Sequence, residues 1–348
     1  MLRRAARTIG VALTCAATSL AGQTTATPSW TISAPDAALA WFTVLADWRV
    51  DGDGAFSYIN PVAGDRTPAA RDEGRSEALV RRLRSDPSRS VLHFAPLYYP
   101  SANRAGLAGA LRAAAQGATP PEPRATFLLS ALGRAMPATA RNDYLPALAA
   151  ALERAVPVPP SAAQLAGWQR RLDSLYLPAF APYLARERLD AGRLIVAPAL
   201  GAEGRLFAAT SNRSDNLVAV GTFVGDPDPD ALIFAFVREI CFPVVSRAAS
   251  AARLDASSVG ASRRSSVAAV RCGAALMQGC LPSRVAAYHA FWIRQAERNG
   301  LTPRRAAAAT ESSALRIEFD RVFPAEAALA VRVNCARSVS ARPASPLL

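Results

Sequence analysis

The sequence predicts a helix-rich α+β protein, and three features carry that expectation. Apolar residues recur at helical spacing through most of the chain. Three short β-rich runs, 193–197, 205–210 and 216–221, are separated by Gly, Pro and Asn/Ser/Asp clusters and are expected to form a small antiparallel sheet. They lead directly into 226–247, where no polar residue interrupts Ala231 to Val237, so that helix should be covered on all sides.

The elements follow in order. Residues 1–21, with Arg3, Arg4 and Arg7 ahead of an apolar run too short to span a bilayer, read as a signal peptide, with cleavage possible as late as residue 26. This places the mature chain in the periplasm or outside the cell, without a transmembrane segment. Residues 30–155 read as a mainly helical lobe. Its first helix is expected over 33–49, with Leu39, Phe42, Val44, Leu45 and Trp48 on one stripe. A charged helix over 68–86 follows, then a buried strand over 90–97 that carries His93, then helices near 103–115, 125–134 and 143–155. Asp51-Gly52-Asp53-Gly54 is a turn that lacks the later oxygen ligands of a calcium loop.

Val156-Pro157-Val158-Pro159-Pro160 is the clearest linker and sets the start of a second lobe, 161–348. A long helix from Ser161 leads to the β-rich runs and the apolar helix, for which Asp228 is the expected N-cap and Pro229 the first helical residue. Two helices are expected over 262–279 and 283–299, a further one over 303–313, and alternating strands over 315–323 and 329–335.

Arg238 and Glu239 are the first charges to interrupt the apolar helix, and two charges midway along a buried helix need a reason. In the zinc motif H-E-x-x-H, two His one turn apart hold the metal and the Glu activates its water. Here the frame reads Arg238, Glu239, Ile240, Cys241, Phe242. Strands feeding a capped helix with a central Glu resemble the catalytic half of the gluzincin metallopeptidases. In particular, 193–295 resembles a secreted bacterial metallopeptidase-like family of unknown function. The resemblance implies a zincin-like second lobe in which Glu239 keeps the general-base position while Arg238 and Phe242 replace the ligands. A third ligand, a Glu from a later helix, is missing too: between Glu239 and Glu297 the sole carboxylate is Asp255, in a Ser/Ala-rich stretch. The expectation is a non-catalytic binding or structural module with no cofactor and with a protein or peptide partner. One alternative is a hydrolase using Glu239 as general base, with zinc as its cofactor if that site is catalytic. Another is a periplasmic scaffold unrelated to zincins.

Other chemistry has little support. With two His, His93 and His289, a three-His zinc site is impossible, and both read as packed core residues. An improvised site of Glu239, His289, Cys241 and His93 would need distant coincidences. No G-x-S-x-G elbow, P-loop, G-x-G-x-x-G or C-x-x-C occurs. The formal charge is +13, but all 40 basic residues are Arg, a genomic bias. The densest arginine cluster, over 71–89, is interleaved with acids as on a solvated helix face, so nucleic acid is not an expected partner. Outside the leader stand Cys241, Cys272, Cys280 and Cys335, which allow three pairings; Cys272 with Cys280 is the expected local disulfide, leaving Cys241 with Cys335, and buried free thiols are the alternative.

Overall fold

A four-stranded sheet lies between two helical layers in this computed structural model. The model describes residues 28–50, 75–99, 103–118, 125–201, 204–208, 215–221, 226–253, 259–298 and 312–325. The expected leader, the 51–54 turn, the 303–311 part of the last expected helix and the 329–335 strand lie outside the described residues.

In chain order, β1 (Ser29–Ser33) and α1 (Asp36–Asp47) precede α2 (Arg75–Ser85), a 3-10 segment (Pro87–Phe94) and α3 (Ala95–Tyr98). Then come α4 (Arg104–Gln116), α5 (Ala125–Ala135), α6 (Ala138–Arg154), α7 (Ala162–Arg171), a π-helical turn (Leu172–Tyr176) and α8 (Leu177–Glu187). The strands β2 (Ala191–Val196), β3 (Gly204–Phe207) and β4 (Asn216–Val220) lead into α9 (Ala231–Ile240) and α10 (Phe242–Ala251). The described chain closes with α11 (Val259–Cys280), α12 (Val285–Arg298) and α13 (Ser312–Val322).

The helix-rich α+β class expected from the sequence is the class observed, but the sheet is mixed rather than antiparallel. Its order is β1-β2-β4-β3, with β1, β2 and β4 parallel and β3 antiparallel to β4. β4 passes between β2 and β3, so the two sequence neighbours do not pair as a hairpin. A close glycine contact permits this crossing: a Cβ on Gly221 would overlap the backbone of Gly201, which sits at φ 57° in the turn after β2.

Strand β1 joins the sheet from the far end of the chain. Ser29 pairs with Ala191 and Ser33 with Ile195, and buried Trp30 donates from its indole nitrogen to the Leu189 carbonyl at 3.0 Å. Its free edge is closed by Gln169 of α7, whose carboxamide accepts from Ile32 N at 2.6 Å and donates to Trp30 O at 2.8 Å. The strand therefore stands at the start of the 30–155 segment by sequence but shares a sheet with residues beyond the linker.

Alternation along the strands divides the core into two layers. Ile195, Leu217 and Ala219 face Trp41, Phe42, Leu111 and Leu148 of α1, α4 and α6. Leu194, Val196, Val218 and Val220 face Tyr176, Phe234, Phe236, Tyr288 and Phe291 on the other side. The linker at 156–160 thus separates the two helical coverings of one sheet.

Two segments expected as strands are helical. Residues 90–97 form the end of the 3-10 segment and α3, because Asp86 caps Ser88 N at 2.8 Å and Pro87 occupies the first helical position. Residues 315–322 belong to α13, where Phe319 and Phe323, four apart, are buried while Ile317, which would share a strand face with Phe319, is exposed.

Candidate functional site

Helix α9 starts two residues later than expected. Asp228 Oδ1 accepts from Asp230 N at 2.8 Å and Asp226 Oδ1 from Asp228 N at 3.1 Å, so successive Asx turns wind the chain into the helix. Asp230 is the N-cap residue, yet its carboxylate makes no capping bond. It is held instead by Arg171 Nε, by the Tyr176 hydroxyl at 2.6 Å and by Arg284 at 2.6 Å. Burial pushes the Asp230 carboxyl up, but the hydrogen bonds from Arg171 and Tyr176 and the charge of Arg284 bring it below the usual range. Asp228 pairs with Arg284 at 2.8 Å and Asp226 with Arg294 at 2.7 Å. The entry to α9 is thereby clamped to α7, α12 and the turn before α12.

The helix expected over 226–247 is kinked at Cys241. Pro243 has no N–H for the Glu239 carbonyl, and Cys241 N turns back to Arg238 O at 3.1 Å, so α9 ends and α10 sets off at once. Arg238 and Glu239 occupy the last turn before this kink.

The three motif positions converge there. Arg238 folds back along its own helix and donates to Glu239 Oε1 at 2.7 Å, and its other terminal nitrogen donates to Ser266 Oγ of α11 at 2.8 Å. The guanidinium lies 5.2 Å from the Phe242 ring centroid and 5.5 Å from that of Trp292. Both charged side chains are 2% exposed. Strand β3 closes the other side: a Cβ on Gly204 would overlap the Glu239 carboxyl group, so only glycine lets the strand pass this closely. Neighbouring Arg205 is buried and donates to the Gly204 carbonyl at 2.6 Å. The result is a carboxylate compensated by a guanidinium and enclosed by two helices, a strand and two aromatic rings.

The other candidates stand apart. His93 is buried, and burial and then the charges of Arg205 and Arg89 push it down to about 3. His289 stacks on Phe319 of α13 with ring centroids 4.1 Å apart, and burial lowers it to about 4. Among the described residues no group of three His, Cys, Asp or Glu side chains is placed to hold a metal ion, so Glu239, Cys241, His93 and His289 do not form the improvised site. Asp255 lies outside the described residues.

The expected Cys272–Cys280 bridge is not present, because Cys272 is a free thiol, as is Cys241; the companion pairing of Cys241 with Cys335 is excluded with it. Both free thiols are buried, on α11 and at the kink, and burial followed by the hydrogen bond to Cys272 raises Cys241 well above the usual thiol range. Cys280 is disulfide-bonded, and its partner is neither of these. Spacing of eight residues within what proves to be the single helix α11 argues against a local bridge, since it puts the two Cα atoms about 12 Å apart.

The sequence did not single out Gly204, Ser266 or Gln169, and it marked Trp292 only as part of the apolar stripe of the helix expected over 283–299. Ser266 and Trp292 acquire their roles only through helix packing. Gly204 offered the one usable signal, an isolated glycine at the start of a strand, which marks a close backbone approach.

No family model, curated protein or solved structure matches the chain. Among the described residues no helix is long and apolar enough to cross a membrane.

Proposed function

We propose that this is an exported, metallopeptidase-like protein that has lost its zinc ligands and serves as a non-catalytic module binding a protein or peptide. The observation that carries the proposal is the enclosure of Glu239. A general base must reach a water or a substrate proton at hydrogen-bond distance, whereas this carboxylate is ion-paired to Arg238, walled by Gly204 and 2% exposed. Arg238 stands at the first ligand position of the zinc frame and supplies the positive charge that a metal would supply. Phe242, at the second, packs against that guanidinium and cannot ligate. The hydrolase alternative requires Glu239 to be reachable, and the same enclosure argues against it.

The decisive measurement is elemental analysis of protein purified from the periplasm, paired with a general peptidase assay. Substoichiometric zinc and no turnover are expected. One tightly held zinc per chain that is lost in Glu239→Ala would overturn the reading.

A further inference from the structure

The two free thiols meet. Val237, Cys241 and Val245 follow at intervals of four residues across the kink and face α11. At one end of this row, a Cβ on Gly273 would lie 3.3 Å from Val237 Cγ1. At the other, Val245 packs with Ala268 and Ala269. Residue numbers rise on one side as they fall on the other, so α11 runs antiparallel to the row, and the rung between these contacts sets Cys241 opposite Cys272. There the two thiols share a hydrogen bond.

The rung is close because α11 offers small residues, Ala268, Ala269 and Gly273, where α9 and α10 cross it. Tyr183 and Tyr288 stand beside the sulfurs, and their hydroxyls donate to Ile240 O at 2.9 Å and Val270 O at 3.1 Å. A zinc shell takes four ligands, and among the described residues no third His, Cys, Asp or Glu joins the two thiols. What two adjacent thiols can do by themselves is exchange two electrons. Cys241 ends α9 rather than lying within a helical run, so its backbone is free of the i+4 bond that Pro243 has removed from the turn.

We propose that Cys241 and Cys272 are a dithiol–disulfide pair, closed by exchange with an external disulfide into a bond that ties the α9–α10 kink to α11. One cysteine thiolate attacks the oxidant's disulfide, forming a mixed disulfide and releasing one thiol. The second cysteine then attacks the protein sulfur of that mixed disulfide, forming the internal bond and releasing the other thiol. The two protons that the cysteines lose end on the two released thiols. Both cysteines are buried, at 0% and 2% exposure, so the exchange proceeds through local opening of α10 from α11. The dithiol persists where no disulfide is supplied. This inference goes beyond the reading of the Arg238–Glu239 site and does not depend on it.

The test uses the full mature chain prepared as the dithiol, equilibrated in a graded series of reduced and oxidised glutathione and quenched in acid. Unreduced peptide maps should show both thiols lost together, a peptide pair joining Cys241 to Cys272, and an intact mass lower by two hydrogens. The urea midpoint of the oxidised protein should be higher than that of the dithiol, and Cys272→Ser should abolish the rise. The map of the parent chain needs no variant to fold. Four results would overturn the proposal: both thiols surviving at the oxidising end, even after refolding from the reduced chain in that buffer; a stable glutathione adduct on either cysteine; pairing of either with Cys280 or Cys335; or an unchanged midpoint. Stoichiometric zinc in the same protein would refute the function proposed above, and a mapped Cys241–Cys272 bond would stand regardless.

Discussion

Replacing Arg238 by Met removes the guanidinium and keeps most of its stem, leaving Glu239 as a carboxylate 2% exposed to solvent without its 2.7 Å partner. The penalty has a ceiling, because Glu239 can escape by taking a proton. From the ordinary Glu value of about 4.3, protonation at pH 7 costs about 3.7 kcal/mol, within the range of about 3 to 5 kcal/mol for breaking a buried pair. At pH 5 the same ceiling falls to about 1 kcal/mol. The sign follows from linkage: in the variant the folded state binds a proton that the unfolded state releases above about pH 4.3, so its deficit grows as pH rises. Glu239→Gln with Arg238→Met removes the charge that needed compensation and should recover about 2 kcal/mol or more of the loss at pH 7. Urea melts of the parent, both single variants and the double at pH 7 and pH 5 measure each quantity. Additive losses, equal at the two pH values, would refute mutual compensation and with it the picture of an arginine in the metal's place.

Three further outcomes are expected. His93 and His289 are bases lowered to about 3 and about 4 from 6.5, so the unfolded state binds more protons and stability should fall as pH drops below about 6.5; His289→Phe should flatten this acid limb in chemical melts, and an unchanged limb would count against the burial of His289. In a thiol-reactivity assay Cys241 and Cys272 should stay unmodified in the native state and react once unfolded, with Cys280 silent until reduction; rapid native labelling of either free thiol would contradict their burial. Gly204→Ala should destabilise by about 1 to 3 kcal/mol, because the added methyl meets the enclosed Glu239 carboxyl group; a thermal melt no lower than that of the parent would show that strand β3 does not lie against the ion pair.

The helices were legible where caps and stripes agreed. Asn103 caps α4 and Gly117 closes it in the left-handed conformation, as local chemistry dictates. The sheet was legible as three runs but not as a topology. Strand periodicity reports which residues alternate and carries no information about which neighbour a strand adopts, and β1, only Ser29 to Ser33 with two serines, has little strand signal of its own. The kink at Cys241 is written in Pro243, which follows an apolar run continuous enough to read as one helix. At the candidate site, Arg238 and Glu239 stood out as charges in an apolar helix. Their surroundings, Ser266, Trp292 and Gly204, come from three other elements, and the first two are set by packing alone. His93 fell in a helical turn rather than a strand because Asp86 and Pro87 form a start signal that outweighs the short apolar run behind it.

The position of β1 has a consequence for the order in which the molecule can be made. Trp30 and the carbonyl that receives its indole proton are 159 residues apart, and every rung of β1 pairs with β2 beyond α8. A chain emerging from the ribosome N-terminus first therefore cannot seat its opening strand until most of the protein has followed. Such distant pairing is slow, since the loop must close before the contacts reward it. Once closed, the strand finds Gln169 already in place along its outer edge, so the same late step that completes the sheet also stops it from growing.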